Sequence, residues 1–137
     1  MQEDCFGLPF ACLQIGYVHL DTAQYYRNEQ YVGRFAKSTT AIRRPDLFLT
    51  TKSFTKGAAI YDSILGSLAK SELDYWDLVL IHAPDGGKDA RTAAWHALSK
   101  LVNQGRVRSI GVSNYGERHI TELLEIQGGV RPVTNQV

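Results

Sequence analysis

The chain has 137 residues, 44% of them hydrophobic and 21% charged, which is the balance of a soluble globular domain and the length of one domain, expected over 1–137. Fifteen Lys and Arg against fourteen Asp and Glu leave a formal charge of +1. That excludes a strongly basic nucleic-acid binder and an acidic tail protein. No apolar run approaches the ~18 residues of a membrane-crossing helix, and Met1-Gln2-Glu3-Asp4 is acidic where a secretory signal carries positive charge. Neither nucleic acid nor membrane is therefore an expected partner, Cys5 and Cys12 read as free thiols, and the expected address is cytoplasmic.

The first fifteen residues are poorly patterned, with Pro9 at the start of a candidate helical stretch, Leu8 to Ile15. Tyr17 to Leu20 is the first β-rich run. Asn28 to Lys37 follows with Tyr31, Val32 and Phe35 at helical spacing. Leu47 to Thr51 is the second strand. Ala58 to Leu73 is a helix with Ile60, Ile64, Leu65 and Leu68 mostly on one face. Asp77 to Ile81 is the third strand. Arg91 to Gln104 is a helix closed by Gly105, and Val107 to Val112 is the fourth strand. Glu117 to Ile126 is helical, and Pro132 to Val137 begins a fifth strand. Strand and helix alternating every thirty residues or so predict βαβ units on a parallel sheet. The continuous apolar run Leu78-Val79-Leu80-Ile81 suits a strand covered on both faces.

Each predicted strand leads into a residue capable of chemistry. The first leads to Asp21 and on to Tyr26, the second to Lys52, the third to His82, the fourth to Ser113 and Asn114, and the fifth contains Asn135 and Gln136. Parallel α/β folds gather functional groups at the carboxyl ends of their strands. A free phenol holds its proton to about pH 10, and a nearby ammonium stabilises the phenolate. A carboxylate would keep the lysine charged, and an imidazole could orient a carbonyl oxygen. Hydroxyl and amide side chains could hold a flat amide. Taken singly, each has a plainer reading. Asp21 caps a turn, Tyr26 packs at the surface, Lys52 is solvated, His82 is a core histidine, and Ser113-Asn114 caps the helix that follows. Their occurrence at successive strand ends favours the joint reading.

On these residues the chain resembles the aldo-keto reductase superfamily. Gly16-Tyr17-Val18-His19-Leu20-Asp21-Thr22-Ala23, Tyr26, Asn28-Glu29 and Val32-Gly33 resemble its first signature. Leu49-Thr50-Thr51-Lys52 resembles the strand of its catalytic lysine, and Asp77 to Pro84 that of its histidine. Gly105 to Tyr115 resembles its second signature, and Pro132 to Val137 the next strand. The resemblance implies α/β units of a TIM (β/α)₈ barrel, incomplete, with about five of eight strands. It implies Tyr26 as general acid, tuned by Asp21 and Lys52, with His82 positioning the carbonyl of a small-molecule substrate. Ser113, Asn114, Gln136 and Asp21 would face the nicotinamide of NADPH (NADP+). No metal is expected: His19, His82, His96 and His119 have no paired spacing, and no Cys-x-x-Cys occurs. Gly-x-Gly-x-x-Gly is absent too, against a Rossmann dehydrogenase.

Val18 stands where the family usually has Arg, and Arg27 where Gly is common. Such barrels typically need ~250 residues, so the chain is expected to be a truncated oxidoreductase with little activity alone. Its first and last strands would be open edges through which self-association is expected, and its inner strand faces would lack an opposite wall. The alternatives are a non-catalytic truncated product and a binding subunit of the same fold.

Overall fold

The computed structural model describes residues 15–137. Cys5, Cys12 and most of the Leu8 to Ile15 stretch lie outside the described residues. The order of elements is β1 (His19–Asp21), α1 (Glu29–Ser38), β2 (Phe48–Ser53), α2 (Ile60–Ser71), β3 (Trp76–Ile81), α3 (Gly87–Asn103), β4 (Val107–Ser113), α4 (Glu117–Leu124) and β5 (Asn135–Gln136). Short 3₁₀ turns at Gln24–Tyr26, Arg44–Asp46 and Gly57–Ala59 lie between them.

The five strands form one sheet, all parallel, in the order β1-β2-β3-β4-β5. A doubly wound sheet reverses its strand order at a switch point. Here each new strand is added on the same side, as in a (β/α)₈ barrel, and five strands make a half-barrel. The register pairs Asp21 with Thr50, Lys52 with Leu80, Ile81 with Val112, and Ser113 with Gln136. The carboxyl ends of all five strands therefore lie along one rim.

The alternation of side chains divides the sheet into two faces. Leu49, Val79, Ile81, Ile110 and Val112 face the helices and join Phe35, Ile60, Ile64, Leu68, Trp95, Leu98 and Leu101 in one buried cluster. Leu78 and Leu80 line the inner groove with Thr50. The inner face is less exposed than its missing wall suggests. Leu78 and Leu80 are buried, while Phe48 at the start of β2 is 39% exposed.

The amino-terminal side of the sheet is braced by Asp77, which is 2% exposed. Its carboxylate accepts from Leu49 N at 3.0 Å and pairs with Arg44 at 2.8 Å and Arg108 at 3.1 Å. Both guanidiniums lie 4.1 Å from the Tyr75 ring centroid, so one buried carboxylate binds β2, β3 and two stacked arginines together.

Helix ends follow the sequence at one site and depart from it at two. Gly105 (φ 70°) closes α3 with Gly105 N to Val102 O and Arg106 N to Leu101 O, a Schellman motif. At the end of α2 the same motif is made by Glu72, at φ 54°, although nothing in the residue type marks it. Helix α3 opens at Gly87, four residues before the expected Arg91, because Lys88-Asp89-Ala90 carries no apolar periodicity. Strand β5 is shorter than Pro132 to Val137, although Val133 N and Thr134 O extend its backbone pairing with β4. Pro132 has no N–H to add.

Helices α1 and α2 touch through Gly33. A Cβ there would lie 1.8 Å from the Ser71 carbonyl oxygen. Gly33→Ala is therefore expected to force the helices apart and lower stability by about 1–3 kcal/mol, read as a lower urea midpoint at unchanged slope. An unchanged midpoint would show that this contact yields freely.

Candidate active site

The site is built on the rim. Lys52 lies near the end of β2 on the inner face and is 2% exposed. Its ammonium donates to the Asp21 carboxylate Oδ1 at the end of β1 and to the Thr22 carbonyl oxygen at 3.1 Å. An ammonium taken out of water needs a counter-charge and satisfied donors, and the β1–β2 register supplies both. The second Asp21 oxygen accepts from Gln136 Nε2 at 3.1 Å. One carboxylate thus links the ends of β1, β2 and β5.

Tyr26 closes the 3₁₀ turn after β1 and is 50% exposed. The Lys52 Nζ lies 5.1 Å from its ring centroid. Its ring meets His82 edge-on at 6.1 Å, the two planes being 89° apart. Arg27, next in sequence, adopts φ 56°, the left-handed conformation that glycine takes most easily, so the departure noted at this position concerns backbone conformation. Val18 is 43% exposed, and its carbonyl accepts from Phe48 N at 2.8 Å.

His82 follows β3 immediately. Burial, with the nearby Lys52 charge, pushes its imidazole below the ordinary value of 6.5, while Asp21 opposes the shift. The ring is therefore neutral near pH 7. Its Nδ1 is buried and, among the described residues, has no hydrogen-bond partner. Phe54 stacks on it with centroids 4.0 Å apart at 13°. Tyr25 in turn meets Phe54 edge-on at 5.9 Å. Phe54 and Tyr25 were not among the residues expected here. The signal that could have found Phe54 is an aromatic residue two positions beyond a strand-end lysine.

On the other side of His82 stand the ends of β4 and β5. Asn114 Nδ2 donates to the His82 carbonyl oxygen at 2.9 Å and to Ser113 Oγ at 3.1 Å. Ser113 Oγ donates to the Gln136 carbonyl oxygen at 2.7 Å, so its proton already has a backbone partner. Asn114 sits at φ 58°, a left-handed conformation that asparagine tolerates better than most residues. Asn135 holds it there. Its side-chain oxygen accepts from Tyr115 N at 3.2 Å and its amide donates to Tyr115 O at 2.8 Å. The structure brings together Asp21, Tyr26, Lys52, His82, Ser113, Asn114 and Gln136, with Asn135 behind them.

The inner groove beneath this rim has a volume of about 630 Å³ and is lined by His19, Asp21, Thr50, Leu80 and Gln136 among others. Among the described residues, no cluster of three or more His, Cys, Asp or Glu suits a metal ion, and no helix is long and apolar enough to cross a membrane.

Comparison with known proteins agrees with this geometry. Residues 10–137 match the sequence model described as the aldo/keto reductase family. Methylglyoxal reductase DkgA of Yersinia pestis is 41% identical over 126 residues, covering 91% of this chain and 45% of the relative. Glyoxal reductase of Bacillus subtilis is 40% identical over 131 residues, covering 93% and 46%. The crystal structure of an aldo/keto reductase from Brucella melitensis superposes with a TM-score of 0.90 at 38% identity, covering 98% of this chain and 53% of that one. The chain thus spans about half the length of the relatives it matches. A half-barrel with these strand-end residues, matched along nearly its whole length, belongs to the aldo/keto reductase family.

Proposed function

We propose that the site reduces the carbonyl group of a small aldehyde or ketone to an alcohol, with Tyr26 as proton donor and a nicotinamide cofactor, NADPH, as reductant. The observation that carries this reading is the buried Lys52 ammonium, paired with the more exposed Asp21 and set beside the Tyr26 ring and the neutral His82. When bound, the cofactor supplies a hydride to the carbonyl carbon.

The residues fit the carboxamide end of such a cofactor. Asn114 and Gln136 each use their side-chain nitrogen within the site, and among the described residues neither Oδ1 of Asn114 nor Oε1 of Gln136 has a hydrogen-bond partner. Two unoccupied acceptors on one rim suit the two N–H donors of an amide. Ser113 acts in this arrangement by tying the ends of β4 and β5 together, and Asp21 by holding Gln136 in place.

The proton comes from Tyr26. As it leaves, negative charge develops on the phenol oxygen, and the Lys52 ammonium stabilises that charge from a position fixed in advance. Asp21 keeps the ammonium aimed and charged. The neutral His82 can donate from a ring nitrogen to the carbonyl oxygen, which turns it toward Tyr26. The aromatic rings of Phe54 and Tyr25 extend the apolar side of the mouth.

The direct test is loss of reduced-nicotinamide absorbance when the chain meets NADPH and methylglyoxal, a substrate taken from the name of one relative. Turnover by the chain alone is expected to be slow, in keeping with its half-length barrel, and its complete absence with any small aldehyde would contradict the proposal. Tyr26→Phe should lower kcat by about 10²–10⁴-fold, the usual contribution of a general acid, with little change in cofactor affinity. Undiminished kcat would remove Tyr26 from the reaction. Lys52→Met keeps a linear stem but deletes the charge, and should lower kcat at least tenfold without raising KM comparably. A pure KM effect would make the lysine a binding residue.

His82 also gives a pH signature. Its native proton affinity is depressed below the ordinary 6.5 of the unfolded chain, so the unfolded state binds more protons as pH drops through that value. Stability should fall on acidification below about pH 6.5, and His82→Gln should flatten that fall in urea titrations. Parallel profiles for the two proteins would refute the neutral, desolvated imidazole.

A further inference from the structure

Tyr26 is half exposed, and among the described residues no hydrogen bond reaches its phenol oxygen. Its location depends on the three-residue turn that carries it. The turn's own backbone bonds are few: Tyr26 N to Ala23 O at 3.0 Å and Arg27 N to Gln24 O at 3.1 Å. A single 3₁₀ turn has no intrinsic stability in water, so something outside it must hold it.

Beside the contact of Tyr25 with Phe54, the polar support comes from the side chain of Gln24. Its Oε1 accepts from Ser53 Oγ at 2.7 Å and from Ser63 Oγ at 3.1 Å. Its Nε2 donates to the Ser63 carbonyl oxygen at 3.1 Å and to Ser63 Oγ at 3.0 Å. Thr55 completes the network, its Oγ1 donating to Ser63 Oγ at 3.0 Å and its N–H to Ser53 Oγ at 3.1 Å. Two acceptor and two donor positions are thereby filled, so the Gln24 amide is saturated and held in one orientation.

The two anchor points matter because of where they sit. Ser63 is in the first turn of α2. Ser53 directly follows Lys52 in β2 and is fully buried. Consecutive strand residues point to opposite faces, so Ser53 grips Gln24 on the helix side while Lys52 reaches Asp21 on the inner side. The turn bearing the phenol and the strand bearing the ammonium are locked at adjacent residues.

We propose that Gln24 is a positioning residue: through Ser53 and Ser63 it fixes the Gln24–Tyr26 turn, and so the separation of the Tyr26 phenol from the Lys52 ammonium. Its functional meaning rests on the reading of Tyr26 as proton donor. Its structural content does not, and the two can be tested apart. Reacting groups must be held to a fraction of an ångström, and a misplacement of about 1 Å can cost 10²-fold in rate.

The test is amide hydrogen exchange by NMR on the full chain, with and without Gln24→Met, which keeps the length of the side chain but removes all four hydrogen bonds. The amides of Tyr26 and Arg27 should exchange at least about tenfold faster in the variant, while those in the middle of α3 stay unchanged. Gln24→Glu keeps an acceptor for both serine hydroxyls but sets its second oxygen against the Ser63 carbonyl oxygen, and should restore only part of the protection. In the NADPH and methylglyoxal assay, Gln24→Met should lower kcat by about tenfold or more with KM changed less than about twofold. Equal exchange at Tyr26 and Arg27 in the two proteins, no protection there in the unchanged chain, or equal acceleration in α3 would overturn the proposal. Local acceleration without turnover by any of the proteins would uphold the anchor and strike the reductase reading instead.

Discussion

The site depends on one constraint: an ammonium group buried near the end of a strand. Lys52 is almost entirely out of water, where an unpaired charge costs several kcal/mol. The parallel register of β1 and β2 resolves this by bringing Asp21 within reach, and the turn after β1 adds the Thr22 carbonyl. The remaining Asp21 oxygen then engages Gln136 from the far edge of the sheet. A half-barrel whose edge strands meet through one carboxylate has its mouth defined by that carboxylate, and Tyr26, His82 and Asn114 stand around it.

The two sides of the sheet differ in character. The helix-facing side is apolar and closely packed, and its amino-terminal end is clamped by Asp77 with Arg44 and Arg108. The rim side holds polar groups in demanding environments: a desolvated His82 without a partner for Nδ1, and Asn114 in a left-handed conformation. Such features destabilise a fold slightly and persist where the surroundings over-determine them. Here the overdetermination is visible in Asn135, which grips both backbone groups of Tyr115, and in Asn114 itself, which grips the His82 carbonyl. A second buried carboxylate, Glu29, accepts from the hydroxyls of Thr51 at 2.7 Å and Ser67 at 2.6 Å and so ties the start of α1 to β2 and α2.

Much of this was legible in the sequence because it is periodic. Apolar strands recurring at a steady interval, each leading to a polar residue, foretell both the parallel sheet and the rim on which Asp21, Lys52, His82, Ser113 and Gln136 meet. What was not legible lacks a period. Gln24, Ser53 and Ser63 are ordinary polar residues far apart in sequence, and only the fold shows that they form one network. The first turn of α3 escaped because its residues present no apolar stripe, and the end of α2 because Glu72 adopts a backbone conformation usually left to glycine. The inner face was expected to be exposed throughout. Leu78 and Leu80 on the central strand β3 are buried even so.

The central claim is that Asp21, Lys52 and Tyr26 act as one unit, the lysine working only through the phenol. A double-mutant cycle on kcat for NADPH-dependent carbonyl reduction tests it directly. If the claim holds, Tyr26→Phe combined with Lys52→Met is no slower than Tyr26→Phe alone, because the lysine has nothing left to act upon. Losses that multiply would contradict it, and would give Lys52 a role in the reaction independent of Tyr26.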